Sequence, residues 1–139
     1  MFMVKNKMKS LILLVFVFFC VIGCGEKTSS VEGISMQVKE GTLTTTGATV
    51  IITDTTKQSY TYGEWFRIDK RENGTWKELE PITEEYWFNL NGYSVGSDNK
   101  LEIKQSWGSL YGELGQGKYR LVKKVNNHDI YVEFEINES

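Results

Sequence analysis

The sequence predicts an all-β fold: a Greek-key β-sandwich of seven to eight strands, preceded by a signal peptide. Three observations predict it. From Ile34 onward apolar and polar residues alternate over short runs, with no helical periodicity. Thirteen Gly and one Pro are spread along the chain as turn punctuation. Finally, Leu114, Gly117 and Tyr119 stand at the spacing of a tyrosine corner. There a Tyr at the start of the penultimate strand bonds back to nearby backbone and locks a Greek-key crossover.

The elements follow in order. A first strand is expected near Ile34–Lys39, with Ile34, Met36 and Val38 on one face. Gly41 and Gly47 bracket a Thr-rich loop before a second strand, Ala48–Thr53, which is nearly continuous in β-branched residues. A third runs from about Tyr60 to Lys70, with Tyr62, Phe66 and Ile68 inward against Arg67 and Asp69 outward. Asn73-Gly74 suits a two-residue type I′ turn, since both residues accept positive φ. The strand Thr75–Glu80 then folds back until Pro81 ends it, leaving Trp76 near the turn. A short aromatic strand is expected at Tyr86–Leu90 and another at Lys100–Ser106, where Leu101 and Ile103 alternate against Glu102 and Lys104. Lys118–Val125 and Asp129–Asn137 close the chain, joined by a hairpin loop around Asn126-Asn127-His128-Asp129.

The segment 1–23 reads differently. Lys5, Lys7 and Lys9 precede an unbroken apolar run from Leu11 to Ile22 that ends at Gly23. A basic start, a short apolar run and a small residue at its end make a secretory signal. The run from Leu11 to Gly23 is 13 residues long, whereas a membrane span needs roughly 20. Val21-Ile22-Gly23-Cys24 resembles the lipobox of bacterial lipoproteins. That resemblance implies cleavage between Gly23 and Cys24, a diacylglycerol on the Cys24 sulfur, and placement at the extracytoplasmic face of the cell membrane. Cys20 is not a rival, because bulky Phe19 precedes it. Acylation with palmitate-type chains gives a stable anchor once two chains are present. Residues 24–33 then form the lipidated Cys and a flexible polar tether, and 34–139 form the domain.

Removing the signal takes three of the sixteen basic residues and none of the acids. The mature chain therefore has 13 basic and 18 acidic residues, a net charge of −5. That excludes nucleic acid as a main partner, which wants clustered Lys and Arg. Cys24 is the one cysteine of the mature chain, so no intramolecular disulfide can form. The domain must stand on packing, for which four Trp, seven Tyr and three Phe provide material.

The turns and core positions carry a second resemblance. Lys39-Glu40-Gly41-Thr42-Leu43-Thr44 with Gly47-Ala48-Thr49, then Tyr60-Thr61-Tyr62-Gly63, and Gly74-Thr75-Trp76-Lys77-Glu78-Leu79 form its first part. Trp107, Tyr111-Gly112-Glu113-Leu114 and Gly117-Lys118-Tyr119-Arg120-Leu121 complete it. Together they resemble a bacterial immunoglobulin-like domain, of the kind on secreted and lipid-anchored proteins of Gram-positive bacteria. The likeness spans nearly all of residues 34–137 and implies an immunoglobulin-like fold with no catalytic residues to carry over.

The residues themselves point to no catalytic group, metal or cofactor. His128 is the one histidine and lies in the last hairpin, while zinc wants three or four N or S ligands. No Ser sits in a nucleophile elbow and no Gly-rich phosphate loop opens a helix. Glu78 with Glu80, and Glu133 with Glu135, share strand faces. They read as a solvated face opposite Lys118, Arg120 and Lys124 rather than a glycosidase pair. Glu84-Glu85 and Asp98 lack a calcium loop. The sequons at Asn73 and Asn137 read as chance beside a bacterial lipobox. The aromatics remain as candidate ligand contacts: Trp65, Trp87 and Tyr131 fall on outward phases. Flat rings there stack on sugars, anchor a protein partner, or lie under Lys and Arg stems. The expected function is a non-catalytic, lipid-anchored module binding a protein or cell-envelope partner, with a peptidoglycan or other glycan ligand as the alternative.

Overall fold

Alternation decides which strands form and which face they bury. The computed structural model describes residues 28–29 and 31–138; the leader, Cys24 and the residues just after it lie outside them. Strand β1 is Thr28–Ser29 and β2 is Ile34–Val38. Strand β3 (Gly47–Asp54) buries Ala48, Val50, Ile52 and Asp54 at every second position. Two-residue β4 (Tyr62–Gly63) precedes β5 (Arg67–Glu72), β6 (Thr75–Glu78) and two-residue β7 (Gly92–Tyr93). Strand β8 is Lys100–Ser106, followed by a single helical turn, α1, at Gly108–Tyr111. Strands β9 (Gly117–Val125) and β10 (His128–Ile136) end the fold.

The strands form two main sheets, all antiparallel. One has the order β1-β10-β9-β5-β6 and the other β2-β3-β8; β4 and β7 make a separate ribbon. Apolar side chains of both main sheets merge into one core, with Met36, Val50 and Ile52 from one and Ile68, Leu121, Ile130 and Val132 from the other. Trp107 lies at its end. The ring stacks on Phe134 at 5.4 Å, Phe134 stacks on Tyr119 at 5.7 Å, and the indole N–H donates to Thr45 O at 2.9 Å. Tyr119 Oη donates to Gly115 O at 2.8 Å, which is the bond that a tyrosine corner makes. Leu114 is buried just before it.

Four expectations need correction. The long third strand is broken: Glu64–Phe66 leaves the ladder between β4 and β5, and Trp65 O accepts from Lys123 Nζ at 3.1 Å instead. Tyr86–Leu90 is not a strand. Only Phe88 of that segment packs on the core, edge-on to Phe66 at 5.5 Å, and the segment joins no sheet. The tether expected to run to residue 33 gives up β1, which pairs with Val132 and Tyr131, and Val31, which bridges to Ile34. His128 is the first residue of β10, opposite Val125; the turn itself is Asn126-Asn127, both at positive φ.

Candidate binding groove

The outer face of the five-stranded sheet carries a network of its own charged and aromatic side chains. Asp69 was expected to face solvent, yet it is buried. Its two carboxylate oxygens accept from Arg67 Nε at 3.0 Å and Arg120 Nε at 2.6 Å. The Arg120 guanidinium lies between two rings, 4.8 Å from Trp76 and 5.0 Å from Tyr131. Lys124 Nζ sits 5.4 Å over Trp65 and donates to Asp129 at 2.9 Å. That hydrogen bond, with Arg67 beside it, holds the Asp129 carboxyl below its ordinary range. Val122 belongs to this face by register, opposite Arg67 and Tyr131, and is buried nonetheless. Trp65 and Tyr131 are thus half-buried under cations, which is the packing role open to them in the sequence.

Trp87 lies elsewhere. It is 81% exposed and lines a groove of about 610 Å³ on the free side of β8. One side of the groove is the strand from Glu102 to Ser106; Thr83 and the stretch Glu85–Phe88 form the other. Phe66 and Leu110 contribute apolar surface, and Glu64 and Tyr93 also line it. Tyr93 Oη donates to Glu64 Oε1 at 2.9 Å, and this bond to a carboxylate raises the Tyr93 pKa. The exposed large apolar residues of the described chain, Ile82, Tyr86, Trp87, Leu90 and Tyr93, all belong to the segment between β6 and β8. Solitary exposed apolar residues are ordinary; three of these, Tyr86, Trp87 and Tyr93, line this groove, which makes it the candidate site.

The charged residues of the groove are Glu64, Glu85, Glu102 and Lys104. Behind it, Lys123 is buried and donates to Gln105 Oε1 at 3.2 Å as well as to Trp65 O. Burial pushes its pKa down to about 8, against the pull of Glu64. Among the described residues no cluster of three His, Cys, Asp or Glu could hold a metal ion. No described helix is long and apolar enough to cross a membrane.

The structure therefore brings together one of the three aromatic candidates, Trp87, with Tyr86, Tyr93 and Glu64, none of which was singled out from sequence. A signal existed: Tyr86, Trp87, Phe88 and Tyr93 crowd a stretch opened by Pro81 and ended by Gly96. The inward place of Lys123 was legible too, because Tyr119, Leu121, Lys123 and Val125 share one phase of β9.

A family model matches this chain, whose structure has two facing antiparallel sheets around a core Trp and a Tyr bonded across the bend before the penultimate strand. The bacterial Ig-like domain model covers residues 30–135. The chain belongs to that family. Comparison with curated proteins and with solved structures yields no match. Bacterial Ig-like domains are generally non-catalytic.

Proposed function

We propose that this bacterial Ig-like domain is a lipid-anchored, extracytoplasmic module that binds a protein or cell-envelope partner through the groove beside β8. The observation that carries the reading is the cluster of exposed aromatic side chains, Tyr86, Trp87 and Tyr93, that lines the groove beside the free edge of β8. The anchor rests on the lipobox at Val21–Cys24, and the acyl chains on Cys24 hold the groove at the membrane surface. A glycan ligand is the second reading, favoured by Trp87 and Tyr93 with Glu64 alongside: rings stack on sugar faces while carboxylates take hydroxyls.

Binding to intact envelopes tests the site. The full chain with Trp87→Ala should lose most of its envelope binding, and Trp65→Ala should not. Equal binding by the native chain and Trp87→Ala would remove the groove from the account. Competition by soluble peptidoglycan fragments would select the glycan reading.

A further inference from the structure

Register shows what the free edge of β8 offers. Trp107 N donates to Thr46 O at 2.9 Å and Asp54 N donates to Asn99 O at 2.9 Å, the two ends of the β3–β8 ladder. Antiparallel ladders alternate with a period of two, so the odd residues Leu101, Ile103 and Gln105 turn their backbone groups to β3. The even residues Glu102, Lys104 and Ser106 turn theirs outward. At the start of the strand the outward groups are already used: Lys100 N–H donates to Asp98 Oδ1 and Lys100 O accepts from Gly96 N. Among the described residues, nothing takes the outward backbone groups of Glu102, Lys104 and Ser106. A fourth strand would lie here; Thr83 and Glu85–Phe88, from the segment that could have supplied it, form the opposite side of the groove instead.

We propose that the groove takes an extended peptide segment of a partner protein, which adds to β8 as a fourth strand and alternates apolar with basic side chains. This rests on the proposed function and specifies its ligand. The backbone of the segment would bond to Glu102, Lys104 and Ser106, the recognition mode of β-strand addition. In an antiparallel addition, the residue opposite Ile103 points with it to the inner side. There Ile103 is half-buried against the core, and Phe66 and Phe88 line the same groove. That position wants an apolar side chain. Its flanking residues share the outer face with Glu102 and Lys104. Charge selects basic residues: Glu64, Glu85 and Glu102 line the groove against Lys104, although Lys39 already neutralises part of Glu102 at 3.1 Å. A strand added there would lie about 4.8 Å from β8, on the groove side. A second copy of this chain fits worse, because its own β8 comes flanked by β3 and by Thr83 and Glu85–Phe88.

Proline tests the backbone directly. Lys104→Pro removes an N–H that β3 does not use, so the sheet should tolerate it as edge strands tolerate proline. Lys104→Ala keeps the N–H and removes only the charge. The probes are a short capped peptide of alternating lysine and valine and its glutamate counterpart, added to the full chain in detergent. The lysine peptide should slow amide exchange at Glu102, Lys104 and Ser106 by about tenfold or more. Lys104→Ala should preserve this protection, Lys104→Pro should abolish it, and the glutamate peptide should give none. No protection with either peptide, or protection that survives Lys104→Pro, overturns the proposal. So does protection of these amides in the peptide-free chain together with a dimeric mass, which would give the edge to a second copy. Photocrosslinking on intact cells separates this proposal from the wider function. If native and Lys104→Pro chains capture the same partner, the strand-addition proposal falls and the binding module stands. If the native chain captures none, both fall.

Discussion

Lys123 shows how one buried residue makes stability depend on pH. It lies on the inner phase of β9, fully covered, and holds Trp65 O and Gln105 Oε1 together behind the groove. Its folded pKa is lowered to about 8 from an ordinary 10.5. Between these values the unfolded chain binds the extra proton, so this group makes stability rise with pH across that window. The slope is at most about 1.4 kcal/mol per pH unit. Tyr62 opposes it only at the upper end: burial and its 2.7 Å bond to Asp54 raise its pKa, so its contribution is lost above the ordinary Tyr range. Denaturant melts at pH 7.5 and pH 9.5 should therefore show the native chain gaining stability relative to Lys123→Met; parallel changes in both chains would mean that Lys123 is not the source. Tyr119 is a simpler case. Tyr119→Phe keeps the stack on Phe134 and deletes only the bond to Gly115 O, which should cost about 1 kcal/mol in a denaturant melt. An unchanged midpoint would leave the corner without a stabilising role.

At the scale of elements, local pattern was a good guide wherever one strand face met the core. The Asn73-Gly74 turn takes φ of 51° and 78° and joins β5 to β6 in the expected register. Strand β8 runs over Lys100–Ser106, the span that its alternation predicts. Pattern misled where partners decide. Tyr86–Leu90 has the composition of a strand, but a strand needs a ladder, and the segment stays off the β8 edge. Asp69 alternates as a surface residue, and only the fold reveals that Arg67 on its own strand and Arg120 on β9 close over it. This carboxylate ties β5 to β9, and Arg67 extends the link to Asp129 on β10 at 3.3 Å. Asp69→Asn keeps the shape but weakens both charged bonds. It should destabilise the chain by about 2 kcal/mol, less than full removal of a buried partner, because both arginines keep some solvent. Chemical melts check it, and a neutral outcome would make the network a surface ornament of the sheet.

For the whole molecule, placement and binding have to be compatible. The domain begins with β1 at Thr28–Ser29, so few residues separate Cys24 from the folded sheet. At no more than roughly 3.5 Å per residue, the link from Cys24 to Thr28 reaches only about 14 Å. An anchor at Cys24 therefore holds the domain close against the membrane rather than on a long leash. β1 pairs with the β10 edge of the five-stranded sheet, whereas the groove borders the β8 edge of the other. The free edge thus belongs to a different sheet from the attachment strand, which suits capture of a segment from a neighbouring envelope protein. Cys24→Ala deletes the acylated sulfur. The variant should lose incorporation of a palmitate analogue and shift from the membrane fraction to the medium or to an unprocessed precursor, while the native chain stays with the membrane after a high-salt wash. Labelled, membrane-bound Cys24→Ala would exclude the lipid anchor at this residue. Inserting a flexible Gly/Ser stretch between Cys24 and Thr28 completes the argument: a longer link should preserve anchoring but relax the limit on reach. If crosslinking to an envelope partner depends on that limit, the longer tether will broaden the set of captured proteins without changing the strand that captures them.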